Sequence, residues 1–315
     1  MEIFLLAVVL DYILGDPIGW PHPIVYIGKM IGFYEKQIRK TMKNLRLGGF
    51  VLVLSSLVTV IFIAHTILEL AGTIHPILES LFTFYFIYVQ LAAKCLHLEA
   101  KKVYRELQTG NVEEARVKIS YLVGRDTSNL GLEEITRATI ETVAENTIDG
   151  VLAPMFYGMI GFLLGYPVEF MFFYKTVNTL DSMVGYIQEP YREIGYASAK
   201  LDDILNYIPA RIGSIFMILA GVILGYDGKN GFRTLKRDRR NHKSPNCGYP
   251  ESAVAGLLGI QLGGSNIYFG QKLEKPTIGD RLRPFNPQDI LSTIRIMYGS
   301  QILVLIISMG ILSFI

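Results

Sequence analysis

The sequence predicts an all-α, polytopic integral membrane protein with cytoplasmic helical loops and with some membrane helices that are broken or paired as hairpins. Half of the 315 residues are hydrophobic, only 18% are charged and the mean hydropathy is +0.34. The chain is thus more apolar than a soluble domain and more polar than a helical bundle held wholly in lipid. Several apolar runs nevertheless reach the length of about 20 residues that a membrane-spanning helix needs.

The first fifteen residues form a short apolar run that we expect to remain as a membrane segment. They have neither the basic start nor the small-residue cleavage site of a signal peptide. Asp11 lies inside this run, where a carboxylate is unusual. Two interpretations stay open for it: a snorkelling or helix-end carboxylate, or a member of the functional site.

Three longer runs qualify as membrane spans by their length. They begin at Gly49, Val151 and Ile296. The second is interrupted at Gly165-Tyr166-Pro167, which favours two short helices joined as a hairpin. Two further runs are shorter or interrupted, and they begin at Ile77 and Ile208.

The basic residues predict the orientation of these spans. Residues 71–76 contain no Lys or Arg, whereas residues 16–48 and 94–150 are rich in both. The positive-inside rule places the two basic segments in the cytoplasm. We therefore expect a multi-pass protein of the cell membrane whose active site lies on the cytoplasmic side.

Both basic segments show helical periodicity. From Ile24 to Met42, apolar residues recur at spacings of three and four opposite Lys and Arg, which predicts an amphipathic helix on the inner leaflet. A helix packed in the core is the alternative. Residues 94–127 predict two helices, with Gly110 ending the first and Asn111 capping the second. We interpret this pair as scaffold in a mainly soluble insertion at 94–150.

Residues 124–150 place carboxylates, amides and arginines directly before an apolar run. Such a segment is costly beside a membrane unless water or a ligand satisfies it, so it predicts a site. A helix from about Leu132 would bring its polar side chains onto one face. That face consists of Glu134, Arg137, Glu141, Glu145 and Asp149. The alternative is a solvated face with an ion pair between Glu133 and Arg137.

Four other polar clusters lie at the ends of apolar runs, and together they predict one polar site at the membrane edge. Each cluster alone is weak evidence, because Asp, Asn, Ser and Pro also form ordinary loops. In chain order the clusters are Asp16 and His22; Lys175, Asn178, Thr179, Asp181 and Ser182; Asp202, Asp203, Asn206 and Arg211; and Arg237, Asp238, His242, Ser244, Asn246 and Glu251.

The glycine-rich stretch at 256–270 does not predict a nucleotide-binding loop. It lacks the Walker pattern, and no GxGxxG motif follows a strand. Ala255, Gly259 and Gly263, spaced four apart, instead predict a face for close helix packing.

The spacing of the cysteines and the small net charge argue against other classes of function. Cys95 and Cys247 have neither metal-ligand nor disulfide spacing, and a nucleophilic Cys247 would need a nearby base. A net charge of +2 without a basic stripe gives no reason to expect nucleic acid as a partner.

The polar strings resemble the adenosylcobinamide-phosphate synthase family of cobalamin biosynthesis, also called CobD or CbiB. They run in order from residue 11 to residue 264 and cover most of the chain. The strings are DYILGDPIGWPHP, GRDTS, ETVAENTIDGVLAPMFY, YKTVNTLDSMVGY, AKLDDILNYIPAR and SPNCGYPESAVAGLLGIQLGG. Cys247 departs from the family, which usually has a small residue such as Ala there.

The resemblance implies a single membrane-embedded synthase domain over 1–315 that carries out an ATP-dependent condensation. The carboxylate of adenosylcobyric acid would be joined to the amine of (R)-1-amino-2-propanol phosphate, or a related amino-alcohol phosphate, to give adenosylcobinamide phosphate. The implied cofactors are ATP and Mg²⁺, with the corrinoid as a substrate. Membrane lipid is the expected surrounding, and a complex with other enzymes of the pathway is left open.

The same resemblance assigns roles to residues at matching positions. The expected magnesium ligands are Glu141, Glu145 and Asp149. The expected catalytic residues are Glu141, Glu145, Asp181, Asp202 and Asp203. The expected substrate-binding residues are Asp16, His22, Arg125, Asp126, Asn146, Lys175, Asn178, Arg211, Ser244, Asn246 and Glu251.

Two competing functions match parts of the sequence. Asp149-Gly150 beside an apolar helix is a feature of membrane alcohol phosphotransferases, but the long acidic pattern of those enzymes is missing downstream. A non-catalytic corrinoid transporter or sensor should place ionisable groups near the midplane of broken helices. The candidates there are only Asp11, Glu79 and Glu169. The amino alcohol, the number of crossings and the oligomeric state are not determined by the sequence.

Overall fold

The computed structural model describes residues 2–16, 19–124, 126–268 and 271–312. It is 76% helical. The described part contains fourteen α-helices, one π-helical segment and one two-stranded sheet. The prediction of an all-α fold is confirmed.

The elements follow one another with short connections. The first seven helices are α1 (Glu2–Leu14), α2 (Pro23–Thr41), α3 (Leu45–Ile74), α4 (Pro76–Tyr88), α5 (Ala93–Thr109), α6 (Val112–Ser120) and α7 (Leu132–Asn146). The π-helical segment (Thr147–Leu152) then leads to α8 (Ala153–Leu164), α9 (Pro167–Val184), α10 (Tyr196–Leu205), α11 (Tyr207–Ile223), α12 (Gly228–Asp238) and α13 (Gly248–Leu258). The strands β1 (Leu262–Tyr268) and β2 (Gln271–Ile278) precede α14 (Gln288–Leu312).

Four helical stretches of the described chain are long and apolar enough to cross a membrane. They are Leu45–Ile74, Pro76–Thr109, Leu132–Leu164 and Gln288–Ile311. The number rises to five if Tyr196–Leu205 and Tyr207–Ile223 together form one span. Length and composition therefore support an integral membrane protein with several spans.

The apolar run from Val151 is broken, as its sequence predicts. One helix, α8, ends at Leu164 and the next, α9, begins at Pro167, and the two pack against each other. Gly165 adopts the left-handed conformation, with φ +85°, which favours glycine. A Cβ on Gly161 would lie 2.6 Å from the Cα of Pro167, so the missing side chain allows the close return of the chain.

The chain divides into two compact units. Unit 1 comprises Met1–Ala92, Ala153–Asn206 and Ser308–Ile315, and unit 2 comprises Ala93–Leu152 and Tyr207–Ile307. The prediction of one membrane-embedded domain with a soluble insertion at 94–150 stays a prediction.

In unit 1, α3 packs against α2, α4 and α9, and α1 packs against α4. The amphipathic helix predicted from Ile24 to Met42 is present as α2. Its buried positions are Ile27, Ile31 and Ile38, which follow the predicted apolar row. Its N-cap is His22, whose Nδ1 accepts a hydrogen bond from the backbone N–H of Ile24.

In unit 2, α7 packs against α5, α6 and α13, and α13 packs against α11 and α12. The predicted helix pair of the insertion is confirmed as α5 and α6. Gly110 joins them with φ +75°, and Asn111 Oδ1 accepts the N–H of Glu114 at 3.2 Å. These are the helix end and the N-cap that the sequence indicates.

The glycine-rich stretch departs from its predicted role. Instead of continuing a helix, α13 ends at Leu258, Gly259 caps it with φ +64°, and Gly263 lies in β1 with φ +75°. A left-handed residue ends a helix, so the predicted packing face of Ala255, Gly259 and Gly263 is wrong. An antiparallel β1–β2 hairpin occupies this part of the chain instead.

The loop from 279 to 287, between β2 and α14, is tied to three helices by ion pairs. The pairs and their N–O distances are Arg237–Asp280 (2.9 Å), Arg281–Glu133 (3.1 Å) and Arg283–Asp289 (2.7 Å). They connect the loop to α12, α7 and α14 respectively. These ion pairs therefore link the base of the hairpin to the helices of unit 2.

Candidate functional site

The acidic segment forms a helix from Leu132, as predicted, and then widens into the π-helical segment that contains Asp149. The helix start is closed by Glu134, whose Oε2 accepts the N–H of Gly131 at 2.8 Å. Helices of the π type are rare and occur frequently at functional sites. No sequence pattern that we considered indicated one here.

Glu141 connects α7 to the hairpin. Its Oε1 accepts the backbone N–H of Gly263 at 2.9 Å and lies 3.7 Å from Nε of Arg137, one turn away. The neighbouring Glu133, which the alternative interpretation paired with Arg137, makes an ion pair with Arg281. Glu141 therefore has protein partners of its own, as expected for a residue that holds the hairpin in place.

The partly buried thiol of Cys247 contacts one carboxylate and feels the charge of two more. Its Sγ donates to Oε1 of Glu145 at 3.0 Å. Burial raises the pKa of the Cys247 thiol well above its usual range, and the negative charges of Glu145, Asp149 and Glu251 raise it further. The thiol stays protonated at neutral pH, which argues against Cys247 as a nucleophile. The same effects indicate that the three carboxylates share one neighbourhood.

The segment before α13 is a tight turn that presents Asn246. The Oγ of Ser244 accepts the N–H groups of Asn246 and Cys247, at 3.2 and 3.4 Å. Nδ1 of His242 accepts the N–H of Ser244 at 3.0 Å. Ser244 and His242 thus have structural contacts within the turn.

Arg211 is held between two tyrosine rings. Its guanidinium lies 3.3 Å from the ring centroid of Tyr207 and 4.3 Å from that of Tyr249. Its Nη1 donates to Asn246 Oδ1 at 3.0 Å and to the Tyr207 carbonyl at 2.6 Å. Stacking and hydrogen bonding preorganise this cation, as a phosphate-binding arginine requires.

Unit 1 contains a second polar group, a buried network around Asp202. Asn206 Nδ2 donates to Asp202 Oδ2 at 3.0 Å, and Asn178 Nδ2 lies 3.4 Å from Asp202 Oδ1. The Tyr174 hydroxyl donates to Asn206 Oδ1 at 2.9 Å, and its ring stacks on Tyr157. Asp202 and Asn206 share a face, as their spacing predicts.

The other predicted site residues of unit 1 lie beside a charged partner or on α9. Asp203 lies 3.5 Å from Lys200, and the carboxylate of Asp16 lies 3.4 Å from His22 Nε2. Both Lys175 and Asp181 are carried by α9.

The remaining predicted residues belong to the segment at 124–150. Oδ1 of Asp126 accepts the N–H and hydroxyl of Ser128, which holds the pKa of Asp126 below its usual range. Asn146 donates to the Thr142 carbonyl at 3.0 Å. Arg125 lies outside the described residues.

The tyrosines were missed by the sequence interpretation. Tyr174, Tyr207 and Tyr249 each contact a predicted site residue, and each stands inside one of the quoted polar strings. Their recurrence in the strings was a signal, but aromatic residues are common in membrane helices and gave no reason to choose them.

We tested whether the acidic residues fit a magnesium ion. Among the described residues, no group of three or more His, Cys, Asp or Glu is placed to hold a metal by itself. Magnesium needs only one or two carboxylates when phosphates and waters complete its shell. Glu145 and Asp149 would supply two such carboxylates, and Glu141 contacts Gly263 and Arg137. The magnesium site stays a prediction.

The fold and these groups define a polytopic helical membrane protein with clustered carboxylates, amides and a stacked arginine. The family model described as CobD/Cbib protein matches residues 4–297, and the chain belongs to that family. Its pathway is cobalamin biosynthesis, as the resemblance predicted.

Relatives cover nearly the whole chain. It is 46% identical over 312 residues to the cobalamin biosynthesis protein CobD of Clostridium tetani, covering 96% of this chain and 95% of that protein. It is 48% identical over 302 residues to the protein of the same name from Listeria monocytogenes, covering 95% and 94%. For that of Klebsiella pneumoniae the identity is 46% over 308 residues, covering 97% and 95%. No solved structure matches the chain.

Proposed function

We propose that the protein catalyses the ATP-dependent formation of an amide bond between adenosylcobyric acid and (R)-1-amino-2-propanol phosphate. The observation that carries this proposal lies in unit 2, where the Cys247 thiol donates to Glu145 at 3.0 Å and the charges of Asp149 and Glu251 act on the same thiol. Arg211 approaches Asn246, the residue next to that thiol. Concentrated negative charge beside a preorganised arginine suits a cation together with its phosphates.

The chemistry requires activation, because a carboxylate is a poor electrophile. A carboxylate oxygen of the corrinoid attacks the γ-phosphorus of ATP, the bond from that phosphorus to ADP breaks, and an acyl phosphate forms. The amine nitrogen then attacks the acyl carbon. The bond from this carbon to the phosphate oxygen breaks, phosphate leaves with the electron pair, and the nitrogen loses a proton. The products are the amide, ADP and inorganic phosphate.

The residues of unit 2 have distinct proposed roles. Glu145 and Asp149 would hold Mg²⁺, which supplies neutralisation of phosphate charge. Arg211 would bind phosphoryl oxygens, because its guanidinium is already oriented by two rings and an amide. Acceptance of the amine proton by Asp181, Asp202 or Asp203 stays a prediction.

The proposed setting is the cell membrane, with the reaction on its cytoplasmic side. The distribution of Lys and Arg supports that orientation. The small-molecule partners are the corrinoid, the amino-alcohol phosphate and ATP, and lipid surrounds the spans. A complex with other enzymes of the pathway is compatible with this setting.

The test is a reconstitution of the full chain in lipid nanodiscs with ATP, Mg²⁺, adenosylcobyric acid and aminopropanol phosphate. ADP release and corrinoid mass are followed together. We expect an ATP-dependent mass gain equal to the amine phosphate minus water, and no gain with Glu145→Gln. Corrinoid binding without a mass change, across several amines, would reject the synthase and favour a transporter or sensor.

A further inference from the structure

A small cleft in unit 2 is lined by residues that have no role in the proposed reaction so far. Its volume is about 140 Å³, and its charged and polar walls include Glu133, Glu134, Arg137, Gln261 and Arg281. The floor is the start of β1 at Gly263 and Gly264. Glu141 joins the cleft to the acidic segment, since it contacts both Gly263 and Arg137.

The size of the cleft limits its ligand. Pockets for drug-sized ligands are larger, at roughly 300–1,000 Å³. The cleft is therefore suited to a small ligand rather than to a whole corrinoid or nucleotide.

The walls of the cleft carry both signs of charge. Arg137 and Arg281 supply guanidinium groups, and Glu133 and Glu134 supply carboxylates. Arg281 Nη2 contacts both oxygens of Glu133, at 3.2 and 3.1 Å. Both side chains are more than half exposed, so the pair is weakly held and open to exchange.

The hairpin leaves room for the second arginine. Gly264 has φ +83°, and a Cβ there would lie 3.2 Å from Nη1 of Arg137. A side chain at this position would both strain the backbone and press on the guanidinium. Glycine at this position therefore avoids displacing the guanidinium of Arg137, which lines the cleft.

We infer that this cleft binds a small zwitterion that carries a phosphate and a primary ammonium group. The phosphate of the ligand replaces Glu133 as the ion-pair partner of Arg281. The ammonium group of the ligand then pairs with the carboxylate of Glu133. Both charges of the ligand are thus matched by a pair that the protein already holds together. In the proposed reaction, on which this identification rests, the ligand is the amino-alcohol phosphate.

The direct test measures calorimetric affinities of the full chain in nanodiscs for aminopropanol phosphate, inorganic phosphate and 1-amino-2-propanol. We expect the zwitterion to bind at least about tenfold more tightly than either fragment. Arg281→Gln should weaken its binding at least about tenfold, because a hydrogen bond to a charged group is lost. The matched control is Arg233→Gln, an exposed arginine of the same unit outside the cleft, which should leave the affinity unchanged.

Two further variants locate the binding site. Gly264→Ala should weaken zwitterion binding by crowding Arg137. Glu133→Gln should remove the preference for the zwitterion over inorganic phosphate. Equal affinity of the wild type for zwitterion and inorganic phosphate, or unchanged affinity in both Arg281→Gln and Gly264→Ala, would overturn the assignment.

Kinetics separate this inference from the proposed function. If the wild type forms the amide, Arg281→Gln should raise the KM for aminopropanol phosphate and leave the KM for ATP unchanged. Amide formation with an unchanged KM in this variant would refute the cleft while the synthase stands. Tight zwitterion binding that depends on Arg281, without amide formation, would refute the synthase and leave the cleft as a zwitterion site.

Discussion

Substitution of Glu141 tests whether this carboxylate holds the hairpin against α7. In Glu141→Ala the buried N–H of Gly263 loses its acceptor, which costs about 1–3 kcal/mol. The contact with Arg137, between two largely buried side chains at 3.7 Å, is also lost, which costs about 1 kcal/mol more. We therefore expect the free energy of unfolding to fall by about 2–4 kcal/mol.

Glu141→Gln is the matched variant, because an amide oxygen can still accept the Gly263 N–H. Only the charge beside Arg137 disappears, so the loss should be about 1 kcal/mol. The measurement is equilibrium unfolding in SDS–detergent micelles, followed by far-ultraviolet circular dichroism. Equal losses in the two variants would show that the hydrogen bond to Gly263 contributes nothing, and the reasoning would be wrong.

Three further predictions concern neighbouring residues. Cys247→Ala should keep the turnover rate within about twofold of wild type, because the thiol stays protonated, whereas Glu145→Gln should lower it at least about 100-fold. Arg211→Lys should lower kcat/KM about tenfold, because it keeps the charge and loses two ring contacts. The Arg237 guanidinium holds the pKa of Asp238 below its usual range. The ionised form therefore stabilises the folded state above about pH 4, and this contribution is lost as the pH falls through the lowered pKa. The Tm deficit of Asp238→Asn should accordingly shrink from about pH 7 to about pH 3.

Local features of the fold were predictable from the sequence. The apolar row of α2, the Gly110–Asn111 junction and the break at Gly165 all follow from spacing or backbone preference within a few residues. The start of α7 at Leu132 belongs to the same class. Each of these signals lies within a few residues of the feature that it predicts.

Other features depend on contacts that one sequence does not reveal. Arg281 and Glu133 are 148 positions apart, so neither predicts the other. Gly259 and Gly263 fit a small-residue helix face as well as they fit a left-handed turn. The choice between these depended on the hairpin, which the sequence interpretation had not considered.

The same limit applies to the candidate site. Residue types predicted that Asp202 and Asn206 share a face and that the acidic residues of α7 line up. They did not predict that Glu141 would contact a backbone N–H in β1, or that Cys247 would donate to Glu145. Those contacts join residues 122 and 102 positions apart, so one sequence does not reveal them.

The ion pairs of the 279–287 loop make the ionic strength of the buffer an experimental variable. At about 1 M salt the Debye length is near 3 Å, so exposed charges are strongly screened. Arg281 and Glu133 are exposed and should separate first, whereas Asp289 is buried and should keep its contact with Arg283. Purification in concentrated salt would therefore loosen the rim of the cleft before it affects the rest of unit 2. Preparations made at low and high salt should then differ in ligand affinity while their helical content stays the same.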